Sequence, residues 1–96
     1  MPIPWAGMEM ITLSPAGSRR VRVTGALSRV RPGAPGGPPM LRAEFGGGRD
    51  AVTVIWLGRT SIPGIEPGRA VAVEGTLALR HGRTVMYNPR YELSPR

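Results

Sequence analysis

The alternation of apolar and polar residues is clearest in two heptapeptides that share one frame. Residues 21–27 read Val-Arg-Val-Thr-Gly-Ala-Leu, and residues 71–77 read Val-Ala-Val-Glu-Gly-Thr-Leu. A period of two with β-branched residues is typical of a strand, so Val21, Val23 and Leu27 are expected on one face. A glycine within a strand marks a bulge, a bend or a close backbone approach. Two long strands that each bend at a glycine predict a small closed sheet.

The same reasoning divides the body of the chain into five strands. We predict strands over residues 19–31, 40–45, 51–57, 69–80 and 83–87, with a second irregularity in the first strand near Ser28-Arg29. In the second strand Leu41, Ala43 and Phe45 alternate with polar residues and are expected in the core. The third strand is nearly all apolar, and its register with the preceding hairpin favours an inward set of Val52, Val54 and Trp56.

The connections between these strands are rich in glycine and proline. The loop Pro32 to Pro39 cannot continue a strand or a helix, and we expect it to be mobile, with no core contact and little hydrogen bonding. Residues 58–68 leave no room for a helix of more than one turn, and Ile62 and Ile65 are expected to plug one end of the barrel. His81-Gly82 is expected to close a two-residue hairpin, which makes His81 a turn residue.

The first eighteen residues form a leader whose order the sequence leaves open. Its apolar segment from Met8 to Leu13 is expected either to pack on the barrel, to add an edge strand or to remain mobile. Trp5 is expected to pack against the body of the domain. Residues 94–96 are expected to form a short C-terminal tail.

Length and composition limit the kind of site the protein can hold. Its 96 residues are enough for one domain, and the absence of cysteine and the single histidine argue against disulfides, thiolate zinc sites and ordinary metal sites. No nucleophile, base or metal constellation indicates an enzyme, so we expect no catalytic residue, no cofactor and no small-molecule substrate. There is no signal-peptide pattern and no apolar run of membrane-spanning length, so we predict a cytoplasmic protein without a membrane partner.

The charge points to a polyanionic partner. All thirteen basic residues are arginine, the chain contains six carboxylate side chains, and the net charge is +7. Arginine offers forked donors to phosphate and a flat face that stacks on bases. A GC-rich genome would explain arginine in place of lysine, but it would not explain the excess of positive charge.

Five strands with these connections describe an all-β, five-stranded Greek-key OB-fold barrel over residues 19–93. The run from Ile65 to Leu77, followed by Gly82 and Asn88-Pro89-Arg90-Tyr91-Glu92, resembles the OB-fold in the wedge domain of RecG branched-DNA helicases. It also resembles small stand-alone OB-fold proteins of actinobacteria that bind nucleic acid. No Walker motif is present, so no ATPase activity carries over, and the loop from Arg31 to Pro39 has no aromatic residue with which to open a DNA fork. Asn88, Pro89 and Tyr91 are interpreted as structural: a strand end and an aromatic ring packed on the barrel wall.

An OB-fold binds single strands across its second and third strands, between the loops that join strands one to two and four to five. This geometry predicts a binding site of Arg29, Arg31, Arg42, Arg80, Arg83 and Tyr87. Trp56 would replace Tyr87 as the stacking platform if the third strand faced the other way. We therefore expect a non-enzymatic module that binds single-stranded DNA or RNA with little sequence preference, mainly through charge. The alternative is a protein-interaction OB-fold that recruits a protein partner. Clustering of the arginines on one face would favour nucleic-acid binding.

Overall fold

The structure is a computed structural model and describes residues 5–13 and 19–95; the side chains of most of residues 5–13 and of Arg49 lie outside the described part. The described residues form seven strands: β1 (Trp5–Leu13), β2 (Arg19–Pro32), β3 (Met40–Phe45), β4 (Val52–Leu57), β5 (Ala70–Arg80), β6 (Arg83–Tyr87) and β7 (Arg90–Leu93). A single 3-10 turn, Gly48–Asp50, lies between β3 and β4. The five predicted strands correspond to β2 through β6, with each end within one residue.

Strands β2 to β6 form a closed barrel. The sheet order is β1-β2-β3-β4-β6-β5-β7, and an additional pairing of β2 with β5 closes the circle. The β4–β6 pair is parallel, whereas the other neighbouring strands are antiparallel. The result is an all-β, five-stranded Greek-key barrel with an added strand on each side, and it is consistent with an OB-fold.

The two heptapeptides of the sequence repeat pair with each other. Val21 lies opposite Gly75, Val23 opposite Val73, and Gly25 opposite Val71. The repeat is thus arranged about a local pseudo-two-fold axis through the Val23–Val73 pair, whose side chains are 0% and 1% exposed. This pair of strands closes the barrel.

Both repeat glycines occupy positions that require glycine. Gly25 has a φ of 149°, and the chain changes partner there: β2 pairs with β5 as far as Ala26 and with β3 from Leu27 onward. A Cβ on Gly75 would lie 2.9 Å from Cγ of the buried Met86. The predicted bend and close approach are therefore confirmed, as is the irregularity near Ser28, which falls between Leu27 and Arg29.

The core contains the predicted inward sets. The alternate residues of β2, β3 and β4, together with those of β5 and Met86, form one buried cluster: Val21, Val23, Leu27, Leu41, Ala43, Phe45, Val52, Val54, Trp56, Val71 and Val73. Ile62 and Ile65 belong to the same cluster and come from the loop between β4 and β5, as predicted. No α-helix occurs between Gly58 and Arg69.

Trp56 is a core residue with its polar atom satisfied. Its Nε1 donates to the Pro89 carbonyl oxygen at 3.0 Å. The Tyr91 ring meets the Trp56 ring edge-on, with centroids 5.7 Å apart and an interplanar angle of 80°. Tyr91 therefore packs on the barrel wall, as the sequence predicted, and Trp56 does not face the solvent as a stacking platform.

Strand β7 was not predicted. Proline at position 89 ends β6 as expected, but Asn88 then takes a left-handed conformation with a φ of 49°. Its amide donates to the Ile55 carbonyl at 2.7 Å, and its Oδ1 accepts from the Leu57 amide at 2.9 Å. The chain turns at this point and pairs Arg90–Leu93 with β5.

The two added strands pair with the strands that contain the sequence repeat: β1 with β2, and β7 with β5. Residues 5–13 of the leader form β1, which pairs antiparallel with β2. The predicted packing of the Trp5 side chain lies outside the described residues.

Within the described ranges, no helix has the length and apolar character that crossing a bilayer requires.

The loop from Pro32 to Pro39 has more internal hydrogen bonds than the sequence suggested. The Gly33 amide donates to the Met40 carbonyl at 2.9 Å, and the Gly37 amide donates to the Ala34 carbonyl at 3.1 Å. The first bond continues the β2–β3 ladder and the second closes a tight turn. The expectation of little hydrogen bonding was wrong for these two amides, because the prolines are spaced so that they do not interrupt either bond.

Candidate nucleic-acid interface

Two rows of side chains cross the outer face of the barrel. The strand register aligns Arg31, Arg42, Ile55 and Tyr87 in one row, on β2, β3, β4 and β6. Because alternate residues of a strand face the same side, the row two residues along lies on the same face and contains Arg29, Glu44, Thr53 and Val85. The outward residues of four strands are thus brought together.

These rows and the β5–β6 hairpin line one open groove of about 420 Å³. All six predicted site residues line it, and five further residues share it with them. The complete lining is Arg29, Arg31, Arg42, Glu44, Thr53, Ile55, Arg80, His81, Arg83, Val85 and Tyr87.

The floor of the groove is largely apolar. Thr53, Ile55 and Val85 point outward from β4 and β6, yet they are only 8%, 9% and 6% exposed. Tyr87 lies at the edge of this floor beside Ile55 and is 42% exposed, so its ring is accessible to a planar ligand group.

Within the part of the chain that the structure describes, the groove arginines form no ion pair with a carboxylate. Among the described residues the ion pairs are those of Arg20 and Arg22 with Glu74, and neither involves a groove arginine. Arg31 lies directly opposite Arg42, and Arg80 directly opposite Arg83. Like charges in opposed positions destabilise a sheet. The arrangement therefore costs stability and creates two paired sites of positive charge for an anion.

The opposite side of the barrel is electrostatically different. There Glu74 on β5 lies between Arg22 on β2 and Arg90 on β7. Its carboxylate is 3.4 Å from Arg22 Nη1 and 3.6 Å from Arg20 Nη2. The Glu74 carboxylate therefore offsets part of the positive charge on this side. The groove, in contrast, contains five arginines and one glutamate, a formal charge of +4.

The β5–β6 hairpin places His81 at one end of the groove. His81 and Gly82 have φ values of 52° and 75°, as in the two-residue turn that the sequence predicted. The carboxyl and imidazole groups of the described residues form no cluster of three or more that could hold a metal ion.

The sequence interpretation omitted the floor of the groove and Glu44. The sequence did contain a pattern that would have placed these residues. Glu44 belongs to the outward set of β3 together with Arg42, and Thr53 and Ile55 alternate with the inward set of β4. Apolar residues on both faces of β4 concealed that pattern, because the floor looks like core in the sequence.

Comparison of the chain with family models, with curated proteins and with solved structures finds no match. The barrel itself is compatible with an OB-like fold. The likeness to RecG wedge domains and to small actinobacterial proteins remains a prediction from the residues that suggested it.

Proposed function

We propose that the protein is a non-enzymatic module that binds single-stranded DNA or RNA in this groove, mainly through charge and with little sequence preference. One observation carries the proposal: a single groove is lined by five arginines that have no ion-pair partner among the described residues, against one glutamate. On the opposite side, Arg20 and Arg22 share the carboxylate of Glu74. A general solvated surface would distribute and pair its charges more evenly.

The spacing of the arginines suits a strand rather than a small anion. Arg42 and Arg83 are separated by two strand spacings across the sheet and four residues along it, about 16 Å between their backbones. A single phosphate would contact both arginines only if both side chains extended fully toward each other. A chain of several nucleotides can contact both, in keeping with the roughly 4–16 nucleotides that one OB-fold covers.

Stacking adds a smaller contribution. Tyr87 is the aromatic residue on the groove, and the adjoining apolar floor can receive the face of a base. Base stacking on an aromatic ring is tolerant of sequence because every base has a π-face. Phosphate contacts position a strand without reading its bases.

The alternative is a protein-interaction barrel that uses its added edge strands to recruit a partner. The balanced charges around Glu74 and the half-exposed Tyr91 would suit such a role. It does not account for the unpaired arginines in the groove, so we place it second.

Filter binding with labelled single-stranded DNA, single-stranded RNA and duplex DNA tests the proposal. If three to five arginines meet phosphates, log K against log salt should have a slope of about −2 to −3.5 for a single strand. Arg42→Ala should weaken binding to unrelated sequences by similar factors and reduce the magnitude of the slope by roughly 0.7.

Arg90→Ala is the matched control. It removes the same charge from the opposite side of the barrel, so it should leave both the affinity and the slope close to those of the parent protein. If a folded sample binds neither single-stranded DNA nor single-stranded RNA at low salt, the proposal is wrong and the protein-interaction reading takes its place.

A further inference from the structure

One carboxylate lies in the groove among the five arginines. Glu44 on β3 is half-buried and is placed between Arg29 on β2 and Thr53 on β4. Although Arg29 is its cross-strand neighbour, the ion pairs among the described residues do not include Glu44. A carboxylate beside a phosphate track lowers the attraction for phosphates. Neither phosphate binding nor an internal ion pair therefore explains it.

A carboxylate accepts hydrogen bonds and cannot donate them. In single strands the Watson–Crick edges of the bases are free to be read by such groups. Guanine presents two adjacent donors there, N1–H and the 2-amino group, which match the two oxygens of a carboxylate. Thymine and uracil present one N–H between two carbonyl oxygens, and those oxygens repel a carboxylate. Cytosine and adenine each present one amino group beside an acceptor ring nitrogen, so they offer a carboxylate one hydrogen bond and not two. A carboxylate in this position would therefore favour guanine.

We propose that Glu44 is a specificity-determining residue that selects guanine at one nucleotide position of the groove. This inference rests on the proposed binding of single strands. The base would lie over Thr53 and Val85, which continue the row of Glu44 across β4 and β6 and are largely buried. Its edge would meet the carboxylate, and its face would cover the floor.

The selection is confined to one position. Tyr87 lies two strands and two residues away from Glu44, about 12 Å between their backbones. A base stacked on Tyr87 and a base that meets Glu44 thus belong to different nucleotides. Overall sequence preference remains small, because most of the contacts are to phosphates.

Fluorescence anisotropy with three labelled DNA strands tests this assignment. The strands are an all-thymine strand, the same strand with a few spaced guanines, and a third with inosine in place of each guanine. The parent protein should bind the guanine strand about tenfold more tightly than the thymine strand. The inosine strand should fall between them, because inosine lacks the 2-amino donor.

Two charge-removing variants separate base reading from a general electrostatic effect. Glu44→Gln should bring the guanine and thymine affinities to within about twofold of each other, mainly by strengthening binding of the thymine strand as a repulsive charge is lost. Glu92→Gln makes the same change on β7, on the opposite side of the barrel, and should preserve the tenfold ratio.

Equal binding of the guanine and thymine strands by the parent protein would overturn the inference, as would a guanine preference that survives Glu44→Gln. In both cases salt-dependent binding of the thymine strand would leave the proposed function standing. Absence of binding to all three strands by a folded sample would overturn both.

Discussion

Replacing Gly75 with alanine tests the closure of the barrel. On energetic grounds the change has two opposing effects. Alanine reduces the entropy of the unfolded chain and stabilises by about 0.4–1 kcal/mol where the site accepts it. At Gly75, however, the new Cβ would lie 2.9 Å from Cγ and 3.0 Å from Sδ of Met86. Met86 is 0% exposed and cannot swing into solvent.

Overpacking of this kind typically costs about 1–3 kcal/mol. We therefore expect Gly75→Ala to lower the free energy of unfolding by about 1–2 kcal/mol after the entropy gain is subtracted. Gly75→Val adds two methyl groups beside Met86 and the Pro89 backbone, whose Cα is 3.5 Å from the Cβ position, and should cost more. Urea unfolding followed by tryptophan fluorescence gives both values.

A double-mutant cycle identifies the cause. Met86→Ala removes the atoms that the new Cβ would meet, so Gly75→Ala should cost little in that background, with a coupling energy of about 1–2 kcal/mol. Gly25 provides the comparison: its φ of 149° makes alanine costly through backbone strain, by about 1–3 kcal/mol. It lies opposite Val71, whereas Met86 lies opposite Leu77, about 20 Å away along β5, so its cost should persist when Met86 is truncated.

Two results would refute this reasoning. A neutral or stabilising effect of Gly75→Ala in the parent protein would mean that Gly75 is not in close contact with Met86. A cost of Gly75→Ala that Met86→Ala leaves unchanged would mean that the contact with Met86 is not its source.

Three further substitutions test local features of the fold. His81→Asn should stabilise by up to about 1 kcal/mol in thermal unfolding, because asparagine suits a left-handed turn position better than histidine; a loss of stability would contradict the turn assignment. Asn88→Ala should destabilise by about 2 kcal/mol, because it loses the hydrogen bond from the Leu57 amide and places alanine at a φ of 49°. Asn88→Gly should cost less, and equal costs would show that backbone conformation is unimportant there. Trp56→Phe should cost about 2–3 kcal/mol by circular dichroism melts, because the buried Pro89 carbonyl loses its donor; a neutral result would show that this bond contributes nothing.

The prediction of the groove depended on the alternation of residues along each strand, which the sequence contains, and on the order of the strands around the barrel, which it does not. The alternation of β3 placed Arg42 outward, and the hairpin at His81 placed Arg80 and Arg83 on either side of a turn. Their common location followed only from the assumed barrel. The pairing of β4 with β6 brings Tyr87 beside Ile55. A parallel contact between residues 32 positions apart leaves no local pattern in the chain.

Local physical chemistry determined the strands, the inward residues and the two-residue hairpin, because period-two alternation, β-branched side chains and turn residues act over a few positions. The tertiary structure decided which strands meet. The two heptapeptide copies were visible in the sequence, but their pairing about Val23 and Val73 is a long-range event. Strand β7 depends on the left-handed Asn88 and its bonds to β4, where tertiary contacts override the usual effect of proline. The tertiary structure likewise decides that the groove arginines have no ion-pair partner among the described residues, because the fold determines which carboxylates lie within reach.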